Sequence, residues 1–475
     1  MTRFKKILAC FTVVLALTGC GGAMRAESPA LTTAARGSSG GGYAAEAAGA
    51  DYGGGGEAAG SYAAPTAAPG GGDMIAPPPP PPSSPMAPVT VAGGVATTTT
   101  TTITVRPGVM PPYVVEQQIP AGGLLTAASV GDVDRRGAYL EYLGRHGAER
   151  GLLGIDMSRR VRVRVVDGVG RPVNDARILL NGAGVQAQGR THADGVWDFY
   201  PSFAAPQSGG TATATIDIGQ TRVQTNVEIP AQGDGPETVV RLNGLVAAAP
   251  QALDLGFLID VTGSMEDELR YVNREVADIT MRIRRQMPQT DIRVGATFYR
   301  DRGDAELVQQ IGFSANVPGF ASAMQNVHAS GGGDYPEDMN TGLEFALRRM
   351  AWRQGNAVRV LVVIADAPPQ QYADSQFTYR HAMNDASARG IRILPVAASG
   401  AERSVEYLFR AMGAATSTPY VYLTNDSGIG NDHQEADTDR VAVEQFNRLL
   451  VRMVVADLAG EGMHEPGAFG PRTGQ

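Results

Sequence analysis

The chain has 475 residues, 19% of them charged, and a formal net charge of −8. Its only lysines are Lys5 and Lys6, which excludes a P-loop lysine, a Schiff-base lysine or a lysine nucleophile elsewhere in the chain. An acidic chain without a basic block is a poor nucleic-acid binder, so we expect no nucleic-acid partner. The 60 glycines and 30 prolines exceed average usage and predict that part of the chain does not fold.

Residues 1–19 have the pattern of an export signal. Arg3, Lys5 and Lys6 precede an apolar run at residues 7–17, which is too short to span a bilayer. The run leads into the sequence LTGC, whose cysteine is Cys20, and this sequence resembles the lipobox of bacterial lipoproteins. The resemblance implies that Cys20 is acylated and anchors the protein in the cell envelope. Because residue 21 is glycine, it further implies the outer membrane, with the leaflet left open.

Two segments of low or mixed complexity follow. Residues 20–118 contain a glycine-rich stretch, a proline run at 77–82 and a threonine run at 97–102, without a hydrophobic period. This composition predicts a disordered tether. Residues 119–157 are predicted to be a short, partly helical segment, because Tyr139, Leu140, Tyr142 and Leu143 have helical spacing.

Residues 158–244 are predicted to form a small antiparallel β-sandwich. Residues 160–165 alternate strictly between arginine and valine, and turn signals recur through the region. The runs VRVVDGVGRPVNDA and THADGVWDF resemble Ig-like or carboxypeptidase-regulatory-like domains. This resemblance implies a spacer or binding module without catalysis. His192, close to Asp194, is interpreted as part of a turn rather than as a ligand pair.

Residues 250–458 alternate apolar strands with helical segments. Strands are predicted at 253–259, 291–298, 358–365, 391–397 and 420–423. Helices are predicted at 266–286, 340–352, 404–412 and 437–458. Continuous apolar strands between helices indicate a doubly wound, mostly parallel α/β sheet covered on both faces. Residues 459–475 are left as a C-terminal tail.

Oxygen-bearing side chains follow two of the predicted strands. Asp260, Thr262 and Ser264 come directly after the first strand, and Asp366 follows the strand at 358–365. Ligands of such sheets bind beyond the carboxyl ends of the strands, so these residues are expected at one edge. An all-oxygen set suits a hard divalent cation, and a helix N-cap role for Ser264 is compatible with it.

The motif D-x-T-x-S at 260–264 resembles the metal-ion-dependent adhesion site of von Willebrand factor type A (VWA) domains. The resemblance covers roughly residues 252–458 and implies a Rossmann-like fold that binds Mg²⁺ or Mn²⁺. It assigns Asp260, Thr262 and Ser264 as motif ligands and Asp366 as the later aspartate of the family. In related domains the partner supplies a carboxylate to the metal.

The middle loop departs from the family pattern. The family usually supplies a threonine there, whereas residues 331–337 read GGGDYPE. Either Asp334 or Glu337 is expected to replace the hydroxyl, and both alternatives stay open. An added carboxylate would bind the metal more tightly and leave it less attractive to an acidic partner. Arg300, Asp301 and Tyr335 are candidates for contact with the partner.

These observations predict a lipid-anchored envelope protein, not an enzyme, that binds another macromolecule through a divalent cation. One alternative is an envelope assembly scaffold in which the metal only stabilises the fold. Another is a metal-assisted hydrolase, which the sequence supports poorly because it contains neither a G-x-S-x-G nor an H-E-x-x-H motif.

Overall fold

The computed structural model describes residues 124–201, 209–333 and 335–466. All of these residues belong to one compact unit, which lies within residues 107–475. The predicted signal, the predicted acylation site Cys20, the predicted tether and Asp334 lie outside the described residues, as does most of the predicted tail. Among the described helices, none has both the length and the apolar character needed to cross a bilayer.

The described residues form fifteen strands and eight α-helices. The strands are β1 (Thr126–Val130), β2 (Val161–Asp167), β3 (Arg177–Gly182), β4 (Val185–Arg190), β5 (Val196–Phe199), β6 (Gly210–Ile218), β7 (Thr221–Ile229), β8 (Thr238–Leu242), β9 (Ala252–Asp260), β10 (Asp291–Tyr299), β11 (Val308–Ser314), β12 (Val358–Ala365), β13 (Arg392–Ala397), β14 (Tyr420–Leu423) and β15 (Glu444–Gln445). The helices are α1 (Arg136–Arg145), α2 (Gly147–Leu153), α3 (Glu266–Gln286), α4 (Val317–Met324), α5 (Met339–Glu344), α6 (Tyr379–Arg389), α7 (Arg403–Ala415) and α8 (Phe446–Leu458).

The C-terminal region is built on an eight-stranded sheet in the order β11-β10-β9-β12-β13-β14-β1-β15. Five strands run parallel to one another: β10, β9, β12, β13 and β14. The remaining strands, β11 at one end of the sheet and β1 and β15 at the other, pair antiparallel. Alternate residues of β9 point to opposite faces: Phe257 packs into the core that contains α3, and Leu258 into the core that contains α7. The predicted doubly wound, mostly parallel sheet is therefore confirmed.

Strand β1 lies in this C-terminal sheet, although the β-sandwich separates it from the other strands in sequence. It pairs with β14 through Ala128 and Tyr422, and with β15 through Thr126 and Gln445. Segment 119–157 therefore includes a strand that the sequence analysis missed, as well as helices α1 and α2. The five residues of β1 do not alternate between apolar and polar side chains, so they carry no local strand signal. Their partners lie almost 300 residues away, so no neighbouring hairpin indicates the strand either.

Two of the predicted helices have different bounds in the structure. The helix predicted at 340–352 is α-helical only as far as Glu344 and continues as a π-helical turn, Phe345–Arg349. The helix predicted at 437–458 begins only at Phe446, because Glu444–Gln445 pairs with β1 and the Phe446 N–H donates to the Leu125 carbonyl. The strand β11 at the other edge of the sheet was also missed.

The middle region forms two facing sheets, β5-β2-β8 and β4-β3-β6-β7. The valines of the alternating run, among them Val161 and Val163, are fully buried and pack with Ile178 and Trp197 in the core between the sheets. The predicted sandwich is therefore present. It is not wholly antiparallel, because β2 and β8 run parallel.

Candidate metal centre

Two buried carboxylates meet at the carboxyl edge of the large sheet. Asp260 is the last residue of β9, and Asp366 directly follows β12. The two strands are parallel neighbours in register, with Ile259 opposite Ile364, so the next residues of each strand emerge side by side. The side chain of Asp260 is fully buried and Asp366 is only 4% exposed. This places both predicted aspartates at one site.

The D-x-T-x-S turn holds its oxygens close together. Asp260 Oδ1 accepts hydrogen bonds from the backbone N–H of Thr262 at 2.9 Å and from its hydroxyl at 2.7 Å. The Thr262 hydroxyl lies 3.2 Å from the Ser264 hydroxyl, and Ser264 faces Asp366. A single 3-10 turn, Gly263–Met265, then leads into α3, where no side chain caps the first N–H groups. The predicted N-cap bond is therefore not formed.

A glycine loop covers the D-x-T-x-S turn. The Ser330 N–H donates to the Val261 carbonyl and the Gly263 N–H to the Gly331 carbonyl, both at 2.9 Å. Gly332 has a left-handed backbone with φ of 68°. A Cβ at Gly332 would lie 2.7 Å from Glu337 Oε1 and 2.9 Å from Thr262 Cβ. Only glycine fits between the two side chains, and Glu337 therefore lies across Gly332 from the metal motif.

The backbone of Glu337 is fixed to the segment that follows Asp366. Its N–H donates to the Pro368 carbonyl at 3.2 Å, and its carbonyl accepts from Gln370 at 2.7 Å. The Glu337 side chain is 4% exposed. Of the two residues proposed to replace the family threonine, Glu337 is thus placed at the site, while Asp334 lies outside the described residues.

Each of the three carboxyl groups has one buried oxygen that lacks a hydrogen-bond partner: Asp260 Oδ2, Asp366 Oδ1 and Glu337 Oε2. Burial and the facing Asp366 raise the pKa of Asp260, and burial raises the pKa of Asp366. Burial and the negative charges of Asp260 and Asp301 raise the pKa of Glu337 to about 8. Unpaired buried carboxylates are costly, and a bound cation removes that cost.

These residues fit a hard divalent cation in their chemistry. Oxygen ligands from two hydroxyls and up to three carboxylates match Mg²⁺ or Mn²⁺. Within the described ranges, however, no three histidine, cysteine or acidic side chains are already gathered into a metal-binding group. The fit therefore rests on the unpaired oxygens and on the hydroxyls of Thr262 and Ser264.

The three predicted partner contacts have different surroundings. Arg300 donates to the carbonyls of Ser330 at 2.9 Å and His328 at 3.1 Å, so it supports the glycine loop from behind. Asp301 is buried and accepts from the Tyr372 hydroxyl at 2.7 Å. Tyr335 is 45% exposed, so it is the one of the three whose side chain is available to a partner.

Two residues that the sequence analysis did not assign to the site contribute to it. Asp304 accepts from the Gly332 N–H at 3.0 Å and therefore holds the glycine loop in place. The Tyr372 hydroxyl donates to Asp301, and the Arg302 guanidinium lies over the Tyr372 ring, 3.8 Å from the centroid of that ring. Tyr372 lies 71 residues from Asp301 in sequence and gave no signal.

Comparison with known proteins identifies this region. Residues 254–428 match a family model described as von Willebrand factor A domain. The chain therefore contains a VWA domain, as the resemblance of its motif implied. The alpha-protein kinase vwkA of Dictyostelium discoideum is 29% identical over 130 residues, which is 27% of this chain. The chain spans only about a fifth of that relative's length, since the match covers 20% of it.

Two solved structures match part of the chain at low identity and low TM-score. The conserved hypothetical protein BatB from Bacteroides thetaiotaomicron is 13% identical, with 44% of this chain and 87% of BatB covered and a TM-score of 0.24. Proximal thread matrix protein 1 from the mussel byssus is 14% identical, with 36% of this chain and 41% of that protein covered and a TM-score of 0.27.

Proposed function

We propose that this protein binds a macromolecular partner through a divalent cation held at the carboxyl edge of its VWA domain. VWA domains are generally interaction modules, which supports binding rather than catalysis. The observation that carries the proposal is the set of three buried, unpaired carboxyl oxygens beside two hydroxyls. Asp260, Thr262, Ser264, Asp366 and Glu337 would hold Mg²⁺ or Mn²⁺.

When bound, the cation would offer a Lewis-acidic position to an acidic group of the partner. The chain's own residues orient that position: the D-x-T-x-S turn fixes the hydroxyls, and the glycine loop fixes Glu337. A third carboxylate makes the set of protein ligands more negative than the divalent cation is positive. Glu337 therefore strengthens metal binding and reduces the attraction for an acidic partner, while exposed Tyr335 lies close by to contact it.

The proposal also includes the location of the protein. The sequence that ends at Cys20 supports acylation and anchoring in the cell envelope, in the outer membrane. A lipid anchor followed by a glycine- and proline-rich segment would present the binding site at a distance from the membrane.

The test is calorimetric titration of the full chain with Mg²⁺ and Mn²⁺, comparing the wild type with Asp260→Ala. We expect saturable binding by the wild type and its loss in the variant. Asp217→Ala is the matched control, because Asp217 is an aspartate on the sandwich surface paired with Arg222, remote from the site. Metal binding that is unchanged by Asp260→Ala would refute the proposed site.

A further inference from the structure

The β-sandwich ends in a free edge strand. Strand β7 is the last strand of the sheet β4-β3-β6-β7, and it pairs along its whole length with β6. At the opposite edge, β4 is covered by α6, and Arg190 Cβ lies within 3.1 Å of the position a Cβ would take on Gly390. In the described part of the chain, no backbone group outside β6 hydrogen-bonds to residues 221–229.

The hairpin between β6 and β7 determines which backbone groups of β7 face outward. Gly219, with φ of 56°, and Gln220 form a two-residue loop between the paired Ile218 and Thr221. The pair that closes such a loop is hydrogen-bonded, and hydrogen-bonded pairs alternate along an antiparallel ladder. The odd-numbered residues of β7 therefore bond to β6. Residues 222, 224, 226 and 228 direct their N–H and C=O groups away from the sheet.

The side chains of these same four residues lie on the solvent face and are exposed: Arg222, Gln224, Asn226 and Glu228. A second copy of β7, aligned antiparallel about Thr225, would place Arg222 opposite Glu228 and Gln224 opposite Asn226. Because the axis is twofold, each of these pairs occurs twice. Val223 would lie opposite Val227 on the inner face. Gln224 and Asn226 then exchange all their outward N–H and C=O bonds with the second copy, whereas the outward carbonyl of Glu228 lies against Gly235 of its own chain, 3.1 Å from the position a Cβ would take there.

Other antiparallel registers lack this complementarity. A shift by one residue sets the solvent face of one copy against the inner face of the other. A shift by two residues places Arg222 opposite Asn226 in one direction and opposite Pro230, which has no N–H, in the other. Edge strands commonly carry charges that discourage pairing with another chain. Here the two charges of β7 are placed so that they attract in one full-length register.

We propose that this protein forms a homodimer by antiparallel pairing of two β7 strands about Thr225, which joins the two four-stranded sheets into one. Arg222 already pairs with Asp217 of its own chain at 2.5 Å, and Glu228 makes no ion pair with another described residue. In the dimer, Arg222 lies between Asp217 and the second copy's Glu228. Pairing of one strand buries less surface than a permanent dimer interface, so the dimer is expected to be concentration-dependent.

The first test is a disulfide across the proposed axis. Thr225→Cys is introduced into the full chain carrying Cys10→Ser and Cys20→Ser. The two Cα atoms of such a pair would be about 4.5–5.5 Å apart, within disulfide range. Thr213→Cys on β6 is the control, since it is exposed but would lie at least about 14 Å from its copy, because three strand spacings separate the two. We expect covalent dimers from Thr225→Cys only; equal yields from both variants would overturn the proposal.

The second test uses sedimentation equilibrium of the full chain. Asn226→Pro removes an outward N–H without touching the bonds to β6, whereas Asn226→Ala keeps that N–H. The proline variant should raise the dimer dissociation constant about tenfold, because each dimer loses two donors, and the alanine variant should not. Glu228→Arg should also weaken the dimer, and adding Arg222→Glu should restore it. Failure of this charge exchange together with an unaffected proline variant would refute the β7 interface.

Discussion

At the scale of single residues, Asp260, Asp366 and Glu337 are the most unusual groups of this molecule. Their carboxyl groups are nearly inaccessible to solvent, and each keeps one oxygen without a hydrogen-bond donor. Without a cation, the least costly state of such a group is the protonated one, which is why burial raises the pKa of all three. Protons and the proposed cation therefore compete for the same oxygens.

This competition predicts how stability depends on pH. The pKa of Glu337 is raised to about 8 in the folded chain, while an unfolded glutamate has a pKa of about 4.3. Between these values the unfolded chain releases a proton that the folded chain keeps, so the free energy of unfolding falls as pH rises. We expect the metal-free full chain to lose stability from about pH 5 to pH 8 in denaturant titrations with a chelator.

The same titrations with saturating Mg²⁺ should show a stabilisation that grows with pH, because the cation no longer has to displace protons. Glu337→Gln should flatten the pH dependence of the metal-free chain, since the amide does not ionise. Asp217→Asn is the control, because Arg222 holds the pKa of Asp217 below its usual range and so outside this interval. A metal-free pH profile identical in the wild type and Glu337→Gln would contradict the assigned environment of Glu337.

At the scale of structural elements, the glycine loop determines whether Glu337 reaches the metal motif. Gly332 combines a positive φ with contacts on both sides, whereas a Cβ on the adjacent Gly333 would meet nothing within 4 Å. Gly332→Ala should therefore lower the free energy of unfolding by about 1–3 kcal/mol and weaken Mg²⁺ binding. Denaturant titration and calorimetry of the full chain measure both effects.

Gly333→Ala is the matched control for that prediction, since its φ is not positive and the space around it is open. It should change neither stability nor metal affinity measurably. If both alanine variants behaved alike, the loop would not hold Glu337 against Thr262 in the way the structure indicates.

The elements that could be predicted from sequence are those whose signal is local. Central parallel strands are buried on both faces, so they appear as continuous apolar runs, and the strand at 358–365 was predicted to the residue. Strands β1 and β11 were missed because neither is a long apolar run with clean alternation, and the partners of β1, which are β14 and β15, are distant in sequence. Likewise the D-x-T-x-S motif was visible, but a choice between Asp334 and Glu337 depends on the path of a glycine loop.

At the scale of the whole molecule, the β-sandwich and the VWA domain share a buried polar interface. Arg392 of β13 is 1% exposed and lies 3.0 Å both from Asp457 of α8 and from Asp194 of the sandwich. Trp197 of the sandwich donates to Ser387 of α6 at 2.8 Å. A spacer module would be free to turn relative to its neighbour, whereas these contacts fix the sandwich to the domain that carries the metal site.

This interface predicts that both parts unfold together. The chain has two tryptophans, Trp197 in the sandwich and Trp352 in the VWA domain. Single-tryptophan variants of the full chain, Trp352→Phe and Trp197→Phe, therefore report on each part by fluorescence in denaturant. We expect Arg392→Met to lower stability by about 3–5 kcal/mol, because the buried Asp457 and the partly buried Asp194 lose their cation, and to shift both midpoints equally.

The control for this experiment is Arg164→Met, which removes an arginine of the sandwich. Arg164 pairs with Glu237 at 2.9 Å, and both side chains are 37% exposed, so the pair contributes little. It should move neither midpoint by a measurable amount.

If the two tryptophans reported separate transitions in the wild type, the sandwich would be an independently folding module. If they coincide, the sandwich and the VWA domain form one cooperative unit. A partner that binds the sandwich then also affects the stability of the sheet that carries the metal site, because Asp194 of the sandwich pairs with Arg392 of β13.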